Sequence, residues 1–230
     1  MIISDLFKDI DLNINEASIE IDGWDTLIPN YDFEILPEEF LELSEADLVK
    51  ESKGALINSL TNAKRGIDCQ VDMILSCYGY KFSRMKIYDK FDLINSLGIT
   101  APRIIQKVRN QRNLLEHEYK NPKYELVEEA VDISLLFIGA TNYNLNFYPS
   151  YYYVQNPKKQ HKKGLLKNCF YVDYNREKYT ISIRFYDSKE VILRKTIKSE
   201  SLLFPILIRL GNYALRNKCI NTILGEMLNF

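Results

Sequence analysis

The sequence predicts an α+β protein, a helical bundle followed by a small antiparallel β-meander with C-terminal helices. Two changes of texture predict it. From about Pro37 to about Ala140 the apolar residues recur at three- and four-residue steps, the spacing of one face of an α-helix. After Asn146 the chain turns to β-branched and aromatic runs separated by turn residues, and helical spacing returns only at Leu202. With 46% hydrophobic and 27% charged residues over 230 positions, the chain has enough apolar content to bury a core.

Residues 1–40 are acidic and weakly periodic, punctuated by Gly23, Pro29 and Pro37, and read as an arm with a short strand at about Ala17 to Ile21. In 41–146, Leu48, Leu56, Leu60, Ala63, Ile67, Ile74 and Tyr78 predict a long helix ended by Gly79, with Gly54 and Gly66 as candidate break points. A short helix over about Asp89 to Leu97 ends at Gly98. Thr100 is suited to cap a third helix, with Pro102 in its first turn, and the Asn121-Pro122 pair stops that helix near Tyr119. A fourth, about Tyr124 to Ala140, is apolar on more than one face and belongs in the middle of the bundle. In 147–230 the strands are Phe147 to Gln155, Lys167 to Tyr174, Tyr179 to Tyr186 and Val191 to Ile197, joined through hairpin-sized connections where Asn175 to Lys178 and Asp187 to Lys189 fall. Helices at Leu202 to Arg216, with Pro205 in its first turn, and Ile220 to Leu228 close the chain. The expected division is an arm (1–40), a bundle (41–146) and a sheet with terminal helices (147–230).

Thirty basic against thirty-one acidic residues give a formal net charge of -1, so a polyanion must be held by a local patch. The four cysteines include no CxxC pair, and the two histidines, His117 and His161, add no zinc spacing. Asp68 and Asp72, near Arg65, read as a helix ion pair and not as a metal site. Neither a metal nor a cofactor is expected, and isolated Gly23, Gly54 and Gly66 form no phosphate loop. Asp5, Lys8 and Asp9 interrupt any secretory apolar run, and Thr141, Asn142, Asn144, Asn146 and Pro149 break the charge-free stretch 133–157. The expectation is a cytoplasmic protein with reduced thiols and no membrane segment.

One helix breaks its own rule. Ala101, Ile105, Val108, Leu115 and Tyr119 fall on a seam of alternating four- and three-residue steps, and the remaining seam position is Arg112. A buried unpaired charge costs several kcal/mol, so this guanidinium either pairs with Glu116 one turn along or faces a wet cleft. Five residues on comes His117. The run Arg112, Asn113, three further residues, His117 and Tyr119 resembles the signature of the HEPN superfamily, whose members are helical bundles and often metal-independent ribonucleases. The pattern R-x4-H-x-Y is similar to that of toxins paired with a minimal nucleotidyltransferase antitoxin. The resemblance covers eight residues within a helical order from about 45 to 143, and residues 147–230 lie outside it.

The residue types suit that chemistry. Metal-free RNA cleavage needs a base for the ribose 2′-hydroxyl proton and a cation for the charge gathering on phosphate oxygens. Histidine as a residue type ordinarily titrates near neutrality, which suits His117 to the base's work, and Arg112 can grip phosphate through a planar fork. Five helical residues turn through about 140°, so the two side chains of one copy diverge. The resemblance implies a homodimer in which both copies furnish one composite site, with Asn113 and Glu116 in support. It also implies that Tyr119 is the residue a nucleotidyltransferase partner modifies with AMP; packing at the seam is the other reading.

A basic run, Lys158, Lys159, His161, Lys162, Lys163 and Lys167, follows Tyr148, Tyr151, Tyr152 and Tyr153. Cations beside aromatic faces suit single-stranded RNA, and a solvated hairpin loop explains the lysines equally well. Arg103, Lys107, Arg109 and Lys120 extend the cations along the motif helix, as a phosphate track or a wet face. The resemblance, with residue types that suit the chemistry, implies an endoribonuclease acting as a toxin or phage-defence effector. The alternative is a non-catalytic HEPN-derived module that binds RNA or protein.

Overall fold

The computed structural model describes residues 3–99, 105–110, 113, 119–156, 168–186, 190–216 and 218–230. The chain is a mixed α+β fold whose named elements are α1 (Ile3–Asp9), β1 (Ser18–Asp25), α2 (Pro37–Leu48), α3 (Lys53–Cys77), α4 (Ile87–Ser96) and α5 (Tyr124–Asn146), followed by β2 (Tyr148–Gln155), β3 (Cys169–Asn175), β4 (Thr180–Tyr186), β5 (Val191–Lys198), α6 (Leu203–Leu215) and α7 (Asn221–Met227). Residues 105–110 and 113 are helical as well.

The five strands pair antiparallel in the order β1-β2-β3-β4-β5. The predicted meander is therefore present, and the strand in the amino-terminal segment joins it as an edge, running to Asp25 and not stopping at Ile21. Its pairing with β2 is irregular at Gly23, where an added Cβ would lie 3.0 Å from the Cβ of Tyr151; glycine lets the two backbones approach. The amino-terminal segment also holds α1, which the weak overall periodicity concealed. Ile3, Leu6, Phe7 and Ile10 are buried, and the ring of Phe7 stacks on Phe170 with centroids 5.6 Å apart.

The long predicted helix is broken at the first of its two glycine candidates. Glu51 takes a left-handed φ of 53°, and the Ser52 hydroxyl then accepts the Ala55 N–H at 3.3 Å as the cap of α3. Gly66 lies within α3 without breaking it, at the close approach of α2, where a Cβ would meet the Pro37 carbonyl at 3.2 Å. Gly79 and Gly98 end their helices as expected, with φ of +78° and +80°. Helix α5 runs past the predicted Ala140 to Asn146, because its polar residues are satisfied inside the fold. Thr141 donates to the Phe137 carbonyl at 2.7 Å and accepts from Gln70 at 2.8 Å, and Asn144 accepts from Arg216 at 3.2 Å.

Bundle and sheet share one buried cluster, in which Val71, Ile74, Val127 and Phe137 join Phe170, Phe185, Phe204 and Leu207. Tyr174 on β3 donates to the Cys77 carbonyl at the end of α3, at 2.8 Å, and Tyr152 on β2 donates to the Leu207 carbonyl of α6, at 2.6 Å. Among the described residues no helix is long and apolar enough to cross a membrane.

Candidate functional site

The helical residues 105–110, which precede the sequence motif, are held from two sides. Ile105 and Val108 are buried, 2% and 1% exposed, as the seam predicts, and Val108 lines a groove with Leu126, Ala130 and Ile133 of α5. On the other side Arg109 places its guanidinium 5.8 Å from the ring centre of Tyr88 and 5.6 Å from that of Phe91 on α4. Its Nη1 lies 3.5 Å from Oδ1 of Asp68 on α3. Asp68 also bonds Lys64 on its own helix, and Asp72 bonds Lys90 at 2.5 Å, so these carboxylates clamp the bundle. Burial pushes the Asp72 carboxyl up, and the Lys90 ammonium opposes that.

Two expectations change here. Arg109 belongs to an internal ion pair between aromatic rings; it is not a free cation on a phosphate track. The partner of Asp68 within α3 is Lys64, and Arg65 is exposed. Lys64 lies four residues before Asp68, one helical turn, and so shares its face.

Of the remaining motif residues, Asn113 is helical and exposed. Tyr119 lies beyond the helix with a left-handed φ of 54°, and it is 88% exposed. It therefore does not pack at the seam. Lys120 is exposed and engaged with another group of the chain. Lys107 pairs with Glu129 of α5 at 3.2 Å on the surface. Arg112, Glu116 and His117 lie outside the described residues, as do Arg103, Lys158, Lys159, His161, Lys162, Lys163 and Lys167.

A second concentration of aromatic and basic groups lies on the solvent side of the sheet, only part of which the sequence indicated. Strand alternation separates the tyrosine run: Tyr148 and Tyr152 point inward and are buried, while Tyr151 and Tyr153 point outward. Tyr171 of β3 lies between the outward pair, with ring centroids 5.6 Å from Tyr151 and 5.3 Å from Tyr153, and Tyr186 of β4 meets it at 5.2 Å. Arg184 of β4 lies over Tyr151 and Tyr171, 5.7 Å and 5.8 Å from their centres. Burial raises the phenols of Tyr151, Tyr153 and Tyr171, which keeps them neutral donors and acceptors at ordinary pH. The signal that could have found Arg184 was its period-two phase with Ser182 and Tyr186 on a predicted strand.

Among the described residues no group of three or more His, Cys, Asp or Glu side chains is placed to hold a metal ion. Compared with protein-family models, with curated proteins and with solved structures, the chain matches none.

Proposed function

We propose that this chain is a HEPN-type, metal-independent endoribonuclease, acting as a toxin or phage-defence effector through a composite site of two copies. In this reading His117 takes the ribose 2′-hydroxyl proton, and Arg112 holds the charge that gathers on the phosphate. Asn113 and Glu116 orient these groups. The observation that carries the reading is the sequence run Arg112, Asn113, His117 and Tyr119, which follows helical residues 105–110 tied to α3 through Arg109 and to α5 through Lys107, and which ends on an exposed tyrosine. Helix α5, beside residues 105–110, and the residue that follows it leave Leu136, Tyr143 and Phe147 exposed, apolar area that a second copy would cover. A nucleotidyltransferase-type antitoxin adding AMP to Tyr119 fits the same reading, since that phenol reaches solvent.

The test incubates purified wild type and His117→Ala with total RNA in EDTA. Cleavage by the wild type alone is expected, with a dimer by light scattering. Equal behaviour of the two proteins retires the nuclease. The second reading, a non-catalytic RNA-binding module, draws on the tyrosines and Arg184 of the outer sheet face, and predicts RNA binding without cleavage.

A further inference from the structure

One cross-strand row on the outer face of the sheet runs Glu20, Tyr153, Tyr171, Arg184, Arg194, each residue directly opposite the next. Its acidic end is spent within the chain: the Glu20 carboxylate accepts from the Tyr153 hydroxyl at 2.5 Å and from the Gln155 amide at 2.6 Å. Its basic end is not. Arg184 and Arg194 face each other on neighbouring strands, an arrangement of like charges that destabilises a sheet. Neither has a carboxylate partner among the described residues; Arg184 donates only to the Tyr151 hydroxyl, at 3.3 Å, and its Nε is buried without an acceptor. Two adjacent cations with no anion partner among the described residues, one of them against a group of tyrosine rings, have the chemistry of a phosphate subsite beside a stacking platform.

We propose that this face binds single-stranded RNA, with a backbone phosphate between Arg184 and Arg194 and bases against Tyr171, Tyr151 and the guanidinium plane of Arg184. Single strands are favoured because rings and guanidinium planes require bases that are free to splay. The choice of RNA rests on the proposed nuclease, yet the surface is separate from the motif helix. It gives the C-terminal part of the chain the work of holding the strand that the bundle would cut.

The experiment uses the full chain carrying His117→Ala, so that binding is measured without cleavage. Fluorescence anisotropy is followed with a labelled single-stranded RNA of about 12 nucleotides, its duplex, and polyglutamate as an acidic polypeptide. Single-stranded RNA is expected to bind best. Arg184→Gln with Arg194→Gln weakens it tenfold or more and lowers the slope of log K against log salt by about 0.7 for each lost phosphate contact. Tyr171→Ala weakens it by roughly tenfold. Arg194→Gln alone relieves the like-charge contact, so its melting temperature does not fall, which separates lost binding from lost folding. Binding by the two-arginine variant within about twofold of the parent, equal affinity for the duplex, or tighter binding of polyglutamate overturns the proposal. RNA binding that depends on the arginines, in a chain that never cleaves, would remove the nuclease and keep the platform. Cleavage with binding indifferent to the arginines would do the reverse.

Discussion

Arg109 Nη1 lies 3.5 Å from Asp68 Oδ1, joining the motif helix to α3 from a position four residues before Asn113. The guanidinium is mostly buried and sits over two rings, so its removal takes away packing as well as charge.

Arg109→Ala is therefore expected to lower unfolding free energy by about 1 to 3 kcal/mol. In a double-mutant cycle with Asp68→Asn the coupling should be smaller, about 0.5 to 1 kcal/mol, because Lys64 still bonds Asp68 when Arg109 is gone. Urea denaturation of the four proteins measures both quantities. A neutral Arg109→Ala would mean that the motif helix is held by its apolar seam alone.

The thiols should divide into two classes. Burial pushes Cys77 and Cys169 up to about 12 and Cys69 up to about 11, while Cys219 is exposed. Since the thiolate is the reacting species, Cys219 alone should label rapidly at pH 8 in the native protein. The other three should follow only in denaturant. Mass spectrometry of the alkylated protein reports which sites react, and fast native labelling of Cys77 would contradict its burial.

Alkaline pH should destabilise the fold. Cys77 and Cys169 normally titrate near 9.0, and the buried phenols of Tyr78, Tyr148, Tyr152 and Tyr174 near 10.0; all are held above those values by burial. Between the ordinary and raised values the unfolded chain has released a proton that the folded chain keeps, so unfolding gains as pH rises. Each such group contributes a slope of about -1.4 kcal/mol per pH unit in that window and nothing below it. Melting temperatures measured in reductant should be level with respect to these groups from pH 7 to about 8 and fall progressively above 9. A constant melting temperature up to pH 11 would be incompatible with the buried phenols.

Two glycines should respond with opposite sign to alanine. At Gly79, φ is +78° and a Cβ would lie 2.5 Å from the Cβ of Tyr179, so Gly79→Ala should cost about 2 kcal/mol or more. At Gly139, on the exposed side of α5, nothing lies within 4 Å. Gly139→Ala should raise stability by about 1 kcal/mol through helix propensity. Paired urea titrations decide both.

The meander and its inward-facing residues were legible in the sequence because a period of two is hard to imitate once turn residues bracket it. The end of α5 was less so: Thr141, Asn142 and Asn144 look like helix-ending residues until Gln70 and Arg216, remote in sequence, arrive as partners. Helix α1 had a readable signal in Ile3, Leu6, Phe7 and Ile10, diluted by the acidic residues around it. Arg109 could not be assigned from spacing, since its roles depend on Asp68, Tyr88 and Phe91 from two other helices. The outer sheet row required register, which fixes that Arg184 opposes Arg194 and not a neighbouring residue.

Strand β1 and strand β2 are hydrogen-bonded neighbours, yet residues 26–147, the whole bundle, lie between them along the chain. The bundle is in effect an insertion closed at its neck, where the Leu27 N–H donates to the Leu145 carbonyl at 2.8 Å. Zipping that edge must await closure of a very long loop, so the sheet is completed late, and high contact order makes such folding slow. During synthesis β1 emerges long before its neighbour, and a chain cut short within the bundle would leave that edge unmatched and open to other chains. A chain organised this way completes its sheet only after β2 to β5 have followed the bundle out of the ribosome.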